Sequence, residues 1–309
     1  MRQVEASRIL DITNMLAGWH LVNVSIGPYT DPIFLTLEKN PDNTSRTGKK
    51  ANWHASRTRY PHHFRIYHSI AETDGFVEII DLPQTSQFFH FAQPLGSESW
   101  LVAQAWGLEH HHASSGGVHN AFVYSTNGQL QSSFYVGDGI EDIQIDESNA
   151  LWVSFFDEGV LKGGEPAGEG LVCFDATGQL IYAHNSSEKA PFILTCYAMN
   201  VSSQKEIWVY SYTDFPLVRL LDRQIDRIWE NVPGYYHAFA INGKKVLFAN
   251  TYKHGMTLPL VDLHTMRVEE LVAVDEEGDP VSFYHACGRG SLLYLVTEQS
   301  LFRLDLDTL

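Results

Sequence analysis

The sequence predicts an all-β protein, a six-bladed β-propeller whose last blade is closed by a strand from the N-terminus. Short strand-like segments separated by turn residues recur along the chain, and no comparable stretch shows the apolar period of an amphipathic helix. One type of segment repeats at intervals of roughly 40 to 55 residues, the range expected of propeller blades. Its copies read SWLVAQAW from residue 99, ALWVSFF from 150, EIWVYSY from 206, KVLFANT from 245 and LLYLVTE from 292.

One complete repeat unit begins near residue 140. Two alternating segments, 143–145 and 151–153, flank a polar turn, and a second hairpin follows between 171 and 181. That hairpin has a close copy at 121–130, because AFVYSTNGQL and GLVCFDATGQL share a Gly-Gln-Leu turn. Four short strands within about 45 residues are what one blade requires.

The chain divides into six such units, and the last of them lacks one strand. The predicted blades span residues 19–82, 87–136, 140–184, 194–230, 235–273 and 282–305. Residues 3–10 are expected to supply the missing outer strand, because a first strand that completes the last blade leaves no open sheet edge. All 309 residues are therefore expected to form a single propeller domain, with a long insertion at about 38–63 in the first blade.

Composition is that of a folded protein. Hydrophobic residues make up 44% and charged residues 19% of the chain. No apolar run approaches the roughly 18 residues that would span a bilayer, and the first residues lack the pattern of a signal peptide. The three cysteines are widely spaced, so no disulfide framework is expected. The predicted location is the cytoplasm, without a membrane partner.

The net charge of −16 restricts the kind of partner. Such a field repels a phosphate backbone, so no nucleic acid is expected to bind. The remaining partners are a protein or a small-molecule ligand, held on the face of the molecule that carries the loops.

The segment IEDIQIDESNALWV, residues 140–153, resembles the repeat of the NHL, SMP-30/gluconolactonase and two-component-regulator propellers. In those repeats a strand ends at Asp, and a Gly-containing turn leads into Leu/Ile-Trp-Val. Asn149 stands here at the Gly position, and Asn tolerates the left-handed backbone that the turn requires. The resemblance implies the propeller fold. Its SMP-30-like branch also implies a metal-assisted hydrolase or lyase.

The start of each innermost strand places side chains toward the axis of a propeller. Aligning these starts yields one candidate channel residue per blade: His20, His90, Asp142, Cys196, His237 and His285. Imidazole, carboxylate and thiol groups are the types that bind metals or transfer protons. Polar side chains also line water-filled channels for purely structural reasons, so both interpretations stay open. The blades that contain His20 and His90 have the weakest repeats.

Further candidates lie in the loops that open on the same face. Glu141, Asp157 and Glu158 flank the third blade, and their oxygens suit a hard cation. The tract GLEHHHASSGGVH, residues 107–119, adds His110 and His112, whose imidazoles suit zinc, nickel or copper. A divalent metal is therefore the candidate cofactor. Its candidate ligands are His237, His285, Asp142, His110 and His112.

The insertion at 38–63 is basic in an otherwise acidic protein, and it has no periodic pattern. A loop of this length is usually either functional or disordered. It is a candidate lid over the channel, a candidate contact for an anionic partner, or an unstructured segment.

Two functions of different classes follow from these features. The first is a cytosolic binding protein that uses its loop face and central channel to hold a protein or a small molecule. The alternative is a metal-dependent hydrolase or lyase with a His/Asp/Cys site at the channel mouth. The sequence contains no G-x-S-x-G, phosphate-binding glycine loop, H-E-x-x-H or C-x-x-C motif, so no acid–base pair is assigned from spacing.

Overall fold

The computed structural model describes residues 1–39, 57–69, 78–107, 119–162, 164–187, 190–230, 232, 234–251 and 255–309. These residues form a six-bladed β-propeller, as predicted. The chain divides into two compact units. The middle unit is Leu16–Ser186, and the split unit combines Met1–Met15 with Ser187–Leu309.

The chain begins with two short strands, β1 (Arg2–Glu5) and β2 (Ser7–Asp11). Only every second or third residue of this segment is buried, as expected for strands at a sheet edge. Ala6, between the two strands, is fully buried, and its N–H donates to the carbonyl of Val274 at 2.8 Å.

The middle unit contains blades 1 to 3. Blade 1 comprises β3 (Trp19–Ile26), β4 (Pro32–Glu38), β6 (Phe64–His68) and β7 (Glu78–Asp81), and a separate two-stranded sheet pairs β5 (Arg57–His62) with β8 (Thr85–Gln87). Blade 2 comprises β9 (Phe91–Pro94), β10 (Ser99–Ala103), β11 (Ala121–Ser125) and β12 (Leu130–Phe134). Blade 3 comprises β13 (Ile140–Ile145), β14 (Leu151–Phe155), β15 (Leu171–Phe174) and β16 (Leu180–Ala183), with helix α1 (Asp157–Lys162) after β14.

The core of the middle unit lies between successive blades. Trp100 in β10 packs in a cluster with residues of blades 1 and 2, including Phe64 and Phe89, and it keeps 2% of its exposure. Trp152 in β14 is fully buried. The Gln93 side chain joins three innermost strands, because it donates to the carbonyl of Ile26 and accepts from the N–H of Ile145. The sequence predicts buried tryptophans in the second strands, and this is confirmed.

The turn between β13 and β14 has the conformation that its sequence predicts. One carboxylate oxygen of Asp146 accepts from the N–H groups of Ser148 and Ala150, and the other accepts from the Trp152 indole at 3.3 Å. Asn149 adopts the expected left-handed backbone with φ of 64°. Its side chain also accepts from the N–H of Gly96 at 2.7 Å, which ties blade 3 to blade 2.

The split unit contains blades 4 to 6. Blade 4 comprises β17 (Thr195–Val201), β18 (Glu206–Tyr212), β19 (Leu217–Leu221) and β20 (Gln224–Trp229). Blade 5 comprises β21 (Ala238–Ile241), β22 (Lys245–Ala249), β23 (Thr257–Asp262) and β24 (Val268–Val274). Blade 6 comprises β25 (His285–Arg289), β26 (Leu292–Val296) and β27 (Ser300–Asp305).

The N-terminal strands complete two blades of the split unit. β2 pairs antiparallel with β27 and forms the fourth strand of blade 6, which confirms the predicted closure. β1 pairs parallel with β24, where Arg2 lies opposite Leu271, and it gives blade 5 a fifth strand. The sequence predicts one role for residues 3–10, whereas the segment divides at Ala6 and covers the outer edges of two neighbouring blades.

The core of the split unit is continuous from blade to blade. Trp208 in β18 is fully buried and stacks on Trp229 of β20 at 5.2 Å between ring centroids. Asn200 in β17 joins the innermost strands, because its side chain donates to the carbonyl of Phe239 and accepts from the N–H of Gly290. The buried amide of Asn200, like that of Gln93 in the middle unit, links innermost strands that do not pair with each other.

Two predicted features fall largely outside the described residues. The insertion at 38–63 is described only in its flanks, since residues 40–56 lie outside, and His110 and His112 lie outside as well. No helix in the described part of the chain is long and apolar enough to cross a membrane.

Candidate functional site

The strand registers identify which residues of the innermost strands are equivalent. The residues of the second strands that align in the repeat are Trp152, Trp208, Leu247 and Tyr294, and they pair with Gln144, Asn200, Ala240 and Cys287 respectively. Counted back from those partners, Asp142 and His285 lie two residues earlier, His237 lies three earlier and Cys196 four. The registers therefore offset these four side chains from one another by one or two positions, and their shared channel site stays a prediction. The residues three positions back are Glu141, Tyr197, His237 and Tyr284.

Backbone irregularities explain this shift. The ladder between β13 and β14 skips Glu141, and the ladder between β17 and β18 skips Tyr197, so each is the extra residue of a β-bulge. A bulge re-aims the side chain of its extra residue and is common beside functional sites. In blades 5 and 6 the corresponding residues are His237 and Tyr284, whose N–H groups donate to Ala249 and Val296 at the start of the ladder.

In the middle unit the bulge holds Glu141 in an acidic cluster, which consists of Glu141, Asp142 and Asp157. Glu141 has no hydrogen bond or ion pair to another described residue. Burial raises its pKa to about 8, and the negative charges of Asp142 and Asp157 act in the same direction. Its side chain is nevertheless partly accessible to solvent. The site thus offers a carboxyl group that keeps its proton at neutral pH.

Two glycines bring the acids of this cluster together. Gly139, with φ of 74°, precedes the bulge, and Gly159 lies in α1; a Cβ on Gly139 would approach the Cα of Gly159 to 2.3 Å. This close contact holds the start of α1, where Asp157 lies, against the start of β13. Asp157 accepts from the N–H of Glu158 at 2.8 Å, so its carboxylate is fixed by its own helix turn.

The partners of the remaining acids differ. The Asp142 carboxylate accepts from the N–H of Ile143 at 2.8 Å and from the Gln144 amide at 2.9 Å. Glu158 lies 4.0 Å from Lys162 in an exposed i,i+4 pair, which contributes little to stability. Asp142 is thus stabilised as an anion by local donors, whereas Glu141 is not.

In the split unit the bulge holds Tyr197 at the centre of an aromatic surface, which consists of Tyr197, Tyr212, Phe215 and Tyr235. The Tyr197 ring stacks on Phe215 at 5.9 Å with an interplanar angle of 14°. Tyr212 and Tyr235 stand steeply against Tyr197, at 63° and 73°, with centroids at 6.3 and 4.4 Å. These two outer rings remain 40% and 42% exposed, although large aromatic side chains are usually well buried.

The loop after β18 holds this surface in an uncommon backbone conformation. Asp214 and Phe215 have φ of 63° and 52°, in the left-handed region. That region is rare for a bulky residue such as phenylalanine and costs on the order of 1–3 kcal/mol. Phe215 is compensated by ring contacts with Tyr197, Tyr210 and Tyr212.

The loop before β21 supplies the other side of the surface. The Tyr210 hydroxyl donates to the carbonyl of Gly234 at 2.7 Å, and the Asn250 amide donates to the carbonyl of Tyr235 at 2.8 Å. Gly234 has φ of 112°, and a Cβ there would meet the Tyr236 ring at 2.0 Å. Two hydrogen bonds to backbone carbonyls, at Gly234 and Tyr235, therefore hold the loop that contains Tyr235.

Two predicted histidines lie beside this surface. The His237 ring is in edge contact with Tyr235 at 4.9 Å, and its Nδ1 accepts from the N–H of Thr251. Burial lowers the pKa of His237, and the nearby His285 lowers it further. His237 is therefore neutral at neutral pH. The structure brings these two of the predicted residues together.

The other predicted channel residues have different surroundings. Cys196 is fully buried, and its thiol donates to the carbonyl of Ala198 at 3.5 Å. His90 is buried, and its Nδ1 accepts from the N–H of Ala105 at 3.0 Å. His20 is exposed on β3. Burial and hydrogen bonding favour a structural role for Cys196 and His90.

The predicted metal ligands lie only partly within the described residues. Among them, no group of three or more His, Cys, Asp or Glu side chains is placed to hold a metal ion. His110 and His112, two of the candidate ligands, lie outside the described residues. The metal that the SMP-30-like resemblance implies stays a prediction.

Sequence reasoning missed the aromatic surface. Its residues come from β17, from the last residue of β18 and from two loops, and the strand pattern on which the prediction relied does not extend into loops. The signal was present as two short aromatic runs at and beyond the ends of the repeat segments, SYTDFP from residue 211 and GYYH from 234.

Comparisons with known proteins support the fold. The model of the YxzG family matches residues 171–304, which is less than half of the chain. No curated protein matches the sequence. A chain in the crystal structure of a mitotic checkpoint complex is similar with a TM-score of 0.50 and 7% identity, over 98% of this chain and 94% of that one.

Two further structures have comparable similarity. Hsv2 from Kluyvelomyces marxianus has a TM-score of 0.49 and 9% identity, over 93% of this chain and 76% of its own. The PQQ-bound aldose sugar dehydrogenase from Streptomyces coelicolor has a TM-score of 0.49 and 11% identity, over 96% of both chains.

Proposed function

We propose that this chain is a recognition protein, and that the aromatic surface of the split unit is where it holds its ligand. The observation that carries the proposal is the pair of half-exposed rings, Tyr212 and Tyr235, that stand against Tyr197. Tyrosine supplies a large contact area at a low cost in conformational entropy and is enriched at binding hot spots.

The backbone at Phe215 supports the same proposal. Left-handed strain in a bulky residue persists only when its surroundings impose it, and such strain concentrates at ligand clamps. Here the conformation places the Phe215 ring on Tyr197 and so keeps the surface preorganised. A preorganised surface loses less entropy when a ligand binds.

A library of peptides and small molecules, screened by binding to the immobilised protein, tests this proposal. Ligands that bind the wild type should lose at least about tenfold in affinity when Tyr212→Ala and Tyr235→Ala are combined, because removing hot-spot rings costs more than 1 kcal/mol. Tyr29→Ala is the matched control, since Tyr29 is 76% exposed and lies in the middle unit. Equal binding by the double variant and the wild type would refute the proposal.

A hydrolase or lyase is the second candidate, and one observation favours it. A carboxyl group with a pKa of about 8 suits a general acid at neutral pH, and Glu141 is such a group. Lactones and esters assayed with the wild type, Glu141→Gln and the control Glu158→Gln test this candidate. Glu141→Gln should lose activity, whereas Glu158→Gln should keep it. Turnover that survives in Glu141→Gln would eliminate Glu141 as the acid.

A further inference from the structure

We infer that the aromatic surface binds the cationic side chain of a lysine or arginine from a basic partner protein. This inference rests on the proposed function and specifies its ligand. The faces of aromatic rings carry partial negative charge, and a cation within about 6 Å of a ring centroid is attracted to them. Tyr212 and Tyr235 offer two such rings next to Tyr197.

The charges around the surface favour a cation. Asp214 lies between Tyr212 and Phe215 in the same loop, and its side chain is exposed. Within the described part of the chain, no side chain forms a hydrogen bond or an ion pair with its carboxylate. The two loops that form the surface, 212–216 and 234–237, contain no lysine or arginine. His237, the described histidine in contact with Tyr235, is neutral there and adds no positive charge beside the rings.

The openness of the surface favours a side chain from a partner protein over a small molecule. Small-molecule sites enclose most of their ligand, whereas both outer rings here keep about two fifths of their exposure. A long side chain that extends from another protein needs no enclosure, because neighbouring contacts of that protein contribute affinity. A basic partner is also attracted over distance by the net charge of −16.

Binding of two short peptides to the intact protein, measured by fluorescence anisotropy, tests this inference. One peptide carries three lysines, and its twin carries the same lysines acetylated on Nε, which removes the charge and keeps the length. The wild type should bind the lysine peptide at least about threefold more tightly than the acetylated peptide. The preference should disappear in the variant that combines Tyr212→Ala with Tyr235→Ala.

The variants separate ring recognition from general attraction to an acidic protein. The double tyrosine variant keeps every charge, so attraction by net charge alone would leave the preference for lysine unchanged, and that result would overturn the inference. Asp214→Asn tolerates the left-handed backbone and removes one charge. It should weaken binding of the lysine peptide about two- to threefold and leave the acetylated peptide unaffected.

Other outcomes distinguish this inference from the proposed function. Equal binding of both peptides, lost in the double tyrosine variant, would overturn the preference for a cation and leave the recognition function supported. Tetramethylammonium that binds as tightly as the lysine peptide would overturn the assignment to a partner side chain. If the wild type binds neither peptide, the inference is wrong, and the library screen alone decides the proposed function.

Discussion

Blades 3 and 4 contain the same type of β-bulge in the innermost strand, but the side chains around it are acidic in blade 3 and aromatic in blade 4. Glu141 and Tyr197 are each the extra residue of a bulge in the innermost strand, three residues before the partner of a buried tryptophan. Around Glu141 the nearest charged groups are two carboxylates. Around Tyr197 the neighbours are Phe215 and two exposed tyrosines.

The difference arises from the segment that follows the second strand. After β14 the chain forms α1, which begins with Asp157 and is held close by Gly139 and Gly159. After β18 it forms a tight loop with left-handed residues and returns directly into β19. The repeated bulge therefore determines where the side chain points, and the segment after the second strand, which differs between the two blades, determines which groups surround it.

The largest expected effect tests whether the two scaffolds are equivalent. Trp152→Ala and Trp208→Ala should each lower the free energy of unfolding by about 3–5 kcal/mol, because both side chains are fully buried and leave a cavity. Urea denaturation measures both values. Trp19→Ala is the control and should cost less, since Trp19 is only partly buried. A loss below about 1 kcal/mol in either variant would contradict the equivalence.

The second effect sharpens the chemical contrast through pH. The folded-state pKa of Glu141, about 8, lies above the 4.5 of an unperturbed glutamate, so the folded state binds this proton more tightly. The corresponding stability is fully present below pH 4.5 and is lost as the pH rises to about 8. Glu141→Gln should therefore be more stable than the wild type at pH 9, by on the order of 2–4 kcal/mol, and equal to it near pH 4.

Tyr197→Phe is the counterpart in blade 4 for this experiment. It removes only a hydroxyl group, and its difference from the wild type should be the same at pH 4 and pH 8. Unfolding by urea at a series of pH values measures both variants. An unchanged difference between Glu141→Gln and the wild type across pH 4 to 9 would show that Glu141 does not hold its proton.

The third effect isolates the strained loop of blade 4. Phe215→Ala and Phe215→Asn both remove the ring that stacks on Tyr197, but asparagine tolerates the left-handed backbone better than alanine. The asparagine variant should be more stable than the alanine variant by about 1 kcal/mol. Thermal unfolding of both variants measures this difference. Equal stability would mean that the loop relaxes once the ring is gone.

The smallest effect concerns a left-handed residue in blade 3. Asn149 is left-handed in the turn after β13, whereas residues 201–206, the turn after β17, contain no left-handed residue. Asn149→Gly and Asn149→Ala both lose the hydrogen bond from Gly96, but only alanine resists the backbone conformation. The glycine variant should be more stable by about 0.5–1 kcal/mol in urea denaturation. A more stable alanine variant would contradict this account of the turn.

The sequence predicted the fold well because each blade repeats its buried residues. Trp152 and Trp208 lie in strands whose flanks match, and the three-stranded last copy correctly pointed to a strand supplied by residues near the N-terminus. The site was predicted less well. A bulge inserts one residue and shifts the alternating pattern by one position, so alignment by pattern matched Asp142 with Cys196, although Glu141 and Tyr197 are equivalent.

Loop chemistry was beyond such an alignment. Tyr212, at the end of β18, and Tyr235, in the loop before β21, contact Tyr197 because both segments lie beside the bulge in β17. Glu141 was among the predicted loop residues, but its raised pKa comes first from burial and then from the negative charges of Asp142 and Asp157, of which Asp157 is brought close by the contact of Gly139 with Gly159. Repeat periodicity contains no information about either arrangement.

The pairing of β1 and β2 with distant strands also determines when the outer edges of blades 5 and 6 can be covered during synthesis. β1 and β2 are synthesised long before their partners, β24 and β27. Until those partners are made, β1 and β2 have no strands to pair with. Once made, the outer strands of blades 5 and 6 have exposed edges until β1 and β2 pair with them. Pairings between such distant parts of a chain form slowly, and unpaired edges invite association with other chains. The newly made protein is therefore most prone to aggregation after β24 and β27 have formed and before β1 and β2 pair with them.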